Sequence, residues 1–380
     1  MNKNYINRRE FIRKSISYSS ILFFTAFFPL TSLFSSDTSL ISKSHEASFY
    51  SVLSPFIVQC QLCFRRCVIN KRKRGFCKAR ENKNGKLYSL TYSRPVAIHI
   101  DPVEKIPFSH FYPGTDALCI GTACCNLGCL NCINWHFALK APEDVDTLSY
   151  YPEDVIKMVK DNNLTTICFT YNEPTMCYEY MRDVFKLAQK QSIKTVFHSN
   201  ASMNVEPLIA LLPYVDAVIA DLKAFNKDFY IKNCSSILDP VLSFLKIVKK
   251  NNIWLEIVNL VIPGLNDNEE DIKKMCTWIK DNIGAETPLQ FSRFFPTYKL
   301  TNLPPTPVKI LKRAYQIALD TGIKYVYIGN VPGIDQINTY CPDCKKLLIE
   351  RKGLSVRKFN IENGRCKFCK KIIEGRWRGA

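Results

Sequence analysis

Cys125, Cys129 and Cys132 form a C-x3-C-x2-C run, Cys125-Asn-Leu-Gly-Cys129-Leu-Asn-Cys132. Three thiolates this close can grip one metal centre, and their number narrows which. Structural zinc takes four protein ligands in a closed tetrahedron. A [4Fe–4S] cluster held by three cysteines leaves one iron open, and an open iron can bind and cleave a small molecule. A zinc knuckle would need a fourth ligand, for which His136, Cys119 and Cys124 are the neighbours at hand. None of these has a natural knuckle offset, which favours the open cluster.

Two further groups carry four cysteines each. Cys341-Pro-Asp-Cys344 and Cys366-Lys-Phe-Cys369 are two C-x2-C knuckles with strand-like sequence between them. They read as a zinc ribbon with Lys345–Glu362 as its hairpin, rubredoxin-type iron being the alternative. Cys60, Cys63, Cys67 and Cys77 suffice for one zinc or one closed iron–sulfur cluster, and the closed four-thiolate count tips the reading to zinc. Cys168, Cys177, Cys234 and Cys276 are scattered and read as buried small hydrophobes.

With Cys119 and Cys124 counted beside the triplet, thirteen of the 17 cysteines fall in three compact groups of a 380-residue chain, which argues for metal rather than a disulfide scaffold. The net charge is +18. No RRM, KH or helix-turn-helix pattern accompanies it, so a lysine-rich solvated surface is expected and no specific nucleic-acid partner. The dense basic run, Arg65-Arg66 and Lys71-Arg72-Lys73-Arg74, lies between cysteines, where it can hold thiolates electrostatically.

Residues 1–36 read as a targeting segment. Arg8-Arg9-Glu10-Phe11-Ile12 precedes an apolar stretch from Ile21 to Phe34, a pattern similar to a twin-arginine export signal. It predicts export or a membrane anchor, with a cytoplasmic location if the signal is not functional. Residues 37–59 read as a Ser-rich linker and 60–110 as an N-terminal four-cysteine module. Residues 111–336 read as the catalytic domain and 337–376 as the ribbon module.

The catalytic domain shows a βα alternation. Apolar runs at Ala117–Ile120, Thr166–Thr170, Thr195–Ser199, Ala217–Asp221, Trp254–Ile262, Leu289–Phe294 and Tyr325–Ile328 predict parallel strands. Helices are expected at Pro152–Lys160, Tyr178–Gln191, Val241–Lys250, Asp271–Ile283 and Val308–Thr321, the last ended by Gly322. The alternation admits a full or partial barrel, or an open doubly wound sheet. In each, chemistry sits at strand C-termini. Cys125, Glu173, Ser199-Asn200, Asp221 and Lys223 all follow predicted strands.

With these motifs in place the chain resembles the radical S-adenosylmethionine (SAM) superfamily. Gly121-Thr-Ala-Cys-Cys125, Thr170-Tyr-Asn-Glu-Pro-Thr175, Ala220-Asp-Leu-Lys223, Val261-Ile-Pro-Gly-Leu-Asn-Asp267 and Tyr327-Ile-Gly-Asn-Val-Pro-Gly333 are similar to the AmmeMemoRadiSam-system enzymes, relatives of pyruvate formate-lyase activating enzymes. The resemblance spans residues 60–375 and implies an α/β fold, a partial TIM-type (βα) barrel flanked by the two four-cysteine modules. It implies that Cys125, Cys129 and Cys132 bind a [4Fe–4S] cluster and that SAM chelates its open iron. Glu173, helped by Asn172, matches the position that contacts the SAM amino group. Ser199 and Asn200 match a position near the ribose, Asp221 and Lys223 a further SAM-contacting pair, and Val261 to Gly264 an adenine wall. Cleaved SAM would yield a 5′-deoxyadenosyl radical that takes hydrogen from a substrate carbon.

The chain departs from that pattern at Asn131, where an aromatic is common, at Ile133, often Gln, and at Phe295, often His. Substrate choice is the property these changes touch. Arg293 is a candidate anchor for an anionic group, or else a structural ion-pair residue. The resemblance implies a flavodoxin- or ferredoxin-like electron donor and a protein substrate or Memo/AMMECR-like partners. Activation of a glycyl radical enzyme is one alternative. A non-catalytic metal- or nucleic-acid-binding protein is the other.

Overall fold

In the computed structural model, which describes residues 45–377, the seven predicted strands and one further edge strand assemble into one eight-stranded sheet. In chain order they are β1 Pro95–Pro102, β2 Asp116–Thr122, β3 Thr166–Phe169, β4 Lys194–Ser199, β5 Ala217–Asp221, β6 Trp254–Val261, β7 Leu289–Arg293 and β8 Val326–Gly329. Order in the sheet equals order in the chain. β1 runs antiparallel to β2, and every later pair is parallel. The crossing helices are α1 Pro152–Asp161, α2 Tyr178–Gln189, α3 Val205–Leu211, α4 Lys227–Cys234, α5 Asp239–Lys250, α6 Glu269–Asn282 and α7 Val308–Thr321. Gly322 ends α7 in the left-handed region at φ 103°, a conformation glycine adopts without steric cost.

The two faces of the sheet separate the barrel from the doubly wound alternative. Val155, Phe185, Leu208, Phe229, Phe244, Ile279 and Leu311, from all seven helices, share one core with Leu118, Phe197, Val218, Ile257, Phe291 and Ile328 of the strands. Alternate strand residues, among them Ala117, Cys119, Cys168, Val196, Ala217, Ile219 and Val258, form a second core on the other face. Helices on one face only, with sequential strand order, are the mark of a partial βα barrel. A doubly wound sheet would reverse its order and carry helices on both faces. Strands buried on both faces also explain the unbroken apolar runs.

The edge strand β1 and helices α3 and α4 were not expected from sequence. Residues 45–59, read from composition as linker, instead supply His45–Glu46 and Tyr50–Ser54 and most of Ile57–Cys60 to small antiparallel sheets. Serine content marks polarity there, but the pairing partners lie further along the chain. The expectations for residues 1–36 lie outside the described residues. No helix among the described residues is long and apolar enough to cross a membrane.

Residues 103–112 cover the N-terminal end of the barrel. Ser109 N and His110 N donate to the Glu256 carboxylate at 2.8 and 2.9 Å, and Trp254 Nε1 donates at 3.0 Å. The His110 ring meets Tyr327 Oη at 2.6 Å. The ribbon module docks here, with Arg351 Nη2 donating to Ser109 O at 2.6 Å and with Tyr325 and Tyr327 packed against Leu348, Ile349 and Trp377. Burial pushes the Glu256 carboxyl up from 4.5 to about 7. The native state therefore prefers the protonated acid. The stability this group adds is complete below pH 4.5 and is lost as pH rises through about 7. Glu256→Gln, permanently neutral, should gain on the wild type in thermal denaturation between about pH 5 and about pH 8. A melting-temperature gap that stays constant over that window would refute the buried-acid account.

Candidate active site

The C-terminal ends of β2 to β6 gather the residues singled out by sequence. At Gly121 an added Cβ would lie 2.9 Å from Tyr171 Cδ2 and 3.2 Å from Thr170 O. The glycine lets β2 and the β3 turn approach closely just before the cysteine loop. Gly121→Ala should shift that loop and lower metal loading several-fold, read as iron per chain after reconstitution; unchanged loading would contradict the close-approach role.

Asn172 staples the cysteine loop to the end of β3. Its Oδ1 accepts from Thr122 N at 3.1 Å, and its Nδ2 donates to Thr122 Oγ1 at 3.1 Å and to Cys124 O at 2.8 Å. From the far side, Gly128 N donates to Cys234 O at 3.0 Å and Leu130 N to Asn233 O at 2.9 Å. The loop is thus held by the Asn172 side chain at the end of β3 and by backbone bonds to the C-terminal end of α4. Within it, Leu127 N points to Cys125 Sγ at 3.4 Å, and Asn200 Nδ2 approaches the same sulfur at 3.8 Å. A hydrogen bond with the Cys234 thiol, against burial and with help from Lys223, lowers the Cys129 thiol to about 7. Burial and then Glu173 push Cys125 well up, and burial and then Cys129 push Cys132 up to about 11.

Two kinds of polar group surround this loop. The first kind is buried and already bonded within the protein. Glu173 is 1% exposed. Its Oε1 accepts from Thr175 N at 3.1 Å, Thr175 Oγ1 at 2.5 Å and Ser199 Oγ at 2.9 Å, and its Oε2 accepts from Asn200 N at 2.7 Å. Three of these bonds fall on Oε1 and one on Oε2, so the carboxylate ties the ends of β3 and β4 together while Oε2 keeps one acceptor site. Ser199 Oγ donates to Glu173 and accepts from Ala201 N at 3.0 Å. The Asn200 amide donates to Asn126 Oδ1 at 2.9 Å and accepts from Ser202 Oγ at 2.5 Å. These side chains bind one another and so fix the end of β4 beside the cysteine loop.

The second kind remains open. Asp221 Oδ1 meets His198 Nε2 at 2.8 Å, and Asp221 Oδ2 accepts from Lys223 Nζ at 2.7 Å. The three side chains keep 25%, 23% and 20% of their surface exposed, in the order Asp221, His198, Lys223. Burial works to raise the Asp221 carboxyl, but Lys223 and His198 hold it well below its usual range. Burial likewise opposes the Lys223 charge, yet Asp221 and then Cys129 keep it protonated. A cation and an anion thus sit side by side next to Cys129.

Sequence reasoning missed His198, which alternates with Val196 onto the inner face of β4, a period-2 signal that was available. It also missed the asparagines that bind the next two loops together. Asn259 Nδ2 donates to Leu222 O at 2.8 Å, and Asn266 Nδ2 to Lys223 O at 2.6 Å and Leu260 O at 2.8 Å. Gly264 sits in that turn at φ 73°, its N–H donating to Asp267 Oδ1 at 2.8 Å, with open space where a Cβ would be. Arg293 donates to Thr306 O at 2.9 Å and lies 5.0 Å from the Phe295 ring centroid. Among the described residues it has no carboxylate partner. Exposed apolar side chains flank the site, with Ile133 75% exposed and Trp135 stacked on Tyr298 at 5.4 Å.

Both quartets are cysteine groups distinct from the triplet. In the C-terminal one, Cys341 and Cys369 bring their sulfurs to 3.6 Å and Cys344 and Cys366 to 3.7 Å, all four lying within 4.8 Å of one another. Cys60, Cys63, Cys67 and Cys77 line a single cavity with Arg65 and Asn126.

Comparison with known proteins matches residues 119–279 to the profile of the radical SAM superfamily. An uncharacterized protein of Methanocaldococcus jannaschii is 43% identical over 331 residues, 87% of this chain and 98% of that one. The pyruvate formate-lyase-activating enzyme of Clostridium pasteurianum is 26% identical over 164 residues, 41% of this chain and 66% of that one. Among solved structures, SuiB of Streptococcus suis aligns with 60% of this chain and 52% of its own, at 14% identity and a TM-score of 0.45.

Proposed function

The chain belongs to the radical SAM superfamily and is an enzyme, and from that premise we propose that Cys125, Cys129 and Cys132 are the ligands of its [4Fe–4S] cluster. The observation that carries this reading is a three-thiol loop stapled by Asn172 beside a partly exposed Lys223–Asp221–His198 set. The donor set suits the group, since a cluster of thiolates carries negative charge and Lys223 supplies a fixed cation next to Cys129. Such a cluster, once reduced, would supply the electron that cleaves SAM into methionine and a 5′-deoxyadenosyl radical.

The chain's own residues divide into two roles. Asp221, His198 and Lys223 are the partly exposed polar groups and would meet the charged and hydroxyl groups of SAM. Glu173, Ser199, Asn200 and Asn172 are positioning residues. They fix the ends of β3 and β4 and the cysteine loop beside them. Gly264 leaves room for close approach of a flat ring.

Relatives named as activating enzymes support a protein substrate and a flavodoxin- or ferredoxin-like electron donor. Exposed Ile133, Trp135, Leu265 and Phe295 offer the apolar surface that such partners use. Activation of a glycyl radical enzyme, or work with Memo/AMMECR-like partners, are the finer forms of that reading. Zinc is the proposed metal of the C-terminal quartet, and export or anchoring is the proposed task of residues 1–36. Anaerobic reconstitution with iron and sulfide, then reduction with SAM present, tests the core reading through 5′-deoxyadenosine. No such product from iron-loaded protein would sink it.

A further inference from the structure

Cys60, Cys63, Cys67 and Cys77 have no part in the chemistry above. Cys60 ends the strand Ile57–Cys60, Cys63 and Cys67 lie in the turn that leads to Val68–Asn70, and Cys77 precedes Arg80–Lys83. Cys60 N donates to Cys67 O at 2.9 Å and Arg66 N to Cys63 O at 3.1 Å, so the backbone fixes how these sulfurs approach each other.

The two quartets differ in a way their spacing does not show. With Zn–S bonds of about 2.3 Å, a tetrahedral zinc site has sulfur–sulfur edges of about 3.8 Å. The C-terminal quartet, at 3.6 and 3.7 Å, is already at that size. Among the described residues it is the group whose sulfurs gather within 4.8 Å, and the N-terminal quartet does not gather in this way. Its four cysteines instead line one cavity. A single ion draws four thiolates to one point. A cluster with its own inorganic sulfide core holds them apart around a space.

The walls of that cavity suit an anionic, electron-accepting group. Arg65 lines it, donates to Asn126 O, and lies 3.5 Å from the Phe76 ring centroid. Arg80 lines it too, fully buried and paired with Glu179 at 2.7 Å. Arg80 is matched by Glu179, so Arg65 is the guanidinium that offsets part of the negative charge of four thiolates. Asn126 is the third wall. It follows Cys125 in the chain and bonds Asn200 and Ser202, the residues packed around Cys125.

We propose that Cys60, Cys63, Cys67 and Cys77 hold a second, closed iron–sulfur cluster of the [4Fe–4S] class, sharing the Asn126 wall with the triplet. This takes the iron–sulfur alternative over the zinc that the closed four-thiolate count favoured. The site rests on its own sulfurs and stands apart from the reading of the triplet.

The test uses the full chain and a variant carrying Cys125→Ala, Cys129→Ala and Cys132→Ala, both reconstituted anaerobically with ferrous iron and sulfide. Iron, sulfide and zinc are counted, and paramagnetic resonance spectra are recorded after dithionite reduction, with and without SAM. The wild type should hold about eight iron atoms and the triple variant about four. The variant's spectrum should ignore SAM, because four thiolates leave no open iron. Cys63→Ala in the otherwise unchanged chain should lose about four iron atoms and keep the SAM-sensitive signal. A triple variant with no iron and about two zinc, or with about one iron, overturns the proposal. A wild type with about four iron, all lost in the triple variant, overturns it while leaving the radical SAM reading intact. A triple variant that still cleaves SAM overturns the triplet reading instead.

Discussion

Cys125→Ala is expected to abolish reductive cleavage of SAM, at least about 1000-fold below the wild type, which is about 4 kcal/mol of barrier. The size follows from the count of ligands. A three-cysteine site that loses one ligand keeps two, and the neighbouring Cys124 and Cys234 thiols do not occupy the Cys125 position in the C-x3-C-x2-C spacing. Cys125 also has the sulfur at which Leu127 N and the Asn200 amide point, so its loss removes the anchor of the loop's first turn. The fold should survive, because the loop's bonds to the Asn172 side chain and to the backbone of Cys234 and Asn233 do not pass through that sulfur. The measurement is 5′-deoxyadenosine formed per chain, with circular dichroism and zinc content recorded on the same sample. Cys276→Ala is the control. That thiol is buried within α6 and touches none of the site residues named above, so cleavage should be retained. A Cys125→Ala protein that keeps its SAM-sensitive iron and its product would remove this residue from the ligand set.

Glu179→Ala is expected to cost about 3–5 kcal/mol of stability, the usual penalty for stranding one partner of a buried ion pair. Arg80 is 1% exposed and Glu179 fully buried; Nη2 of Arg80 lies 2.7 and 2.9 Å from the two carboxylate oxygens. The same carboxylate accepts from Ser48 N at 2.7 Å. Truncation therefore orphans a guanidinium and an amide inside the protein. This pair joins the N-terminal module to α2, so the module should loosen first. Anaerobic chemical denaturation of the holoprotein measures the loss. Arg80→Met combined with Glu179→Leu should recover part of it, because an apolar pair leaves no buried charge. A Glu179→Ala protein within about 0.5 kcal/mol of the wild type would show that the pair is not holding the module.

Much of the barrel was legible along the chain. The strands from β2 to β8 and five helices appear where apolar runs and helix-period stretches stand, because each is a local pattern whose faces are buried on folding. β1 was harder to see, since Pro95–Pro102 is a half-exposed edge with a mixed burial pattern. The choice between barrel and doubly wound sheet was not local either, for it depends on which face every helix takes.

The site divides in the same manner. Residue types and spacing along the backbone determined that three thiols share one loop, that four others form two knuckles, and that Asn172, Glu173, Asp221 and Lys223 follow strands. Those are facts of covalent order, which folding cannot alter. Only the tertiary structure decided which polar groups are spent on the protein and which remain free. Glu173 and Ser199 bind each other across 26 residues of sequence, whereas Asp221 keeps an open flank with His198 beside it. Hydrogen-bond saturation is a property of neighbours in space. The same holds for the metal modules. Two four-cysteine groups of similar composition differ in whether their sulfurs meet at a point or stand around a cavity, and that spacing is set by the walls packed behind them.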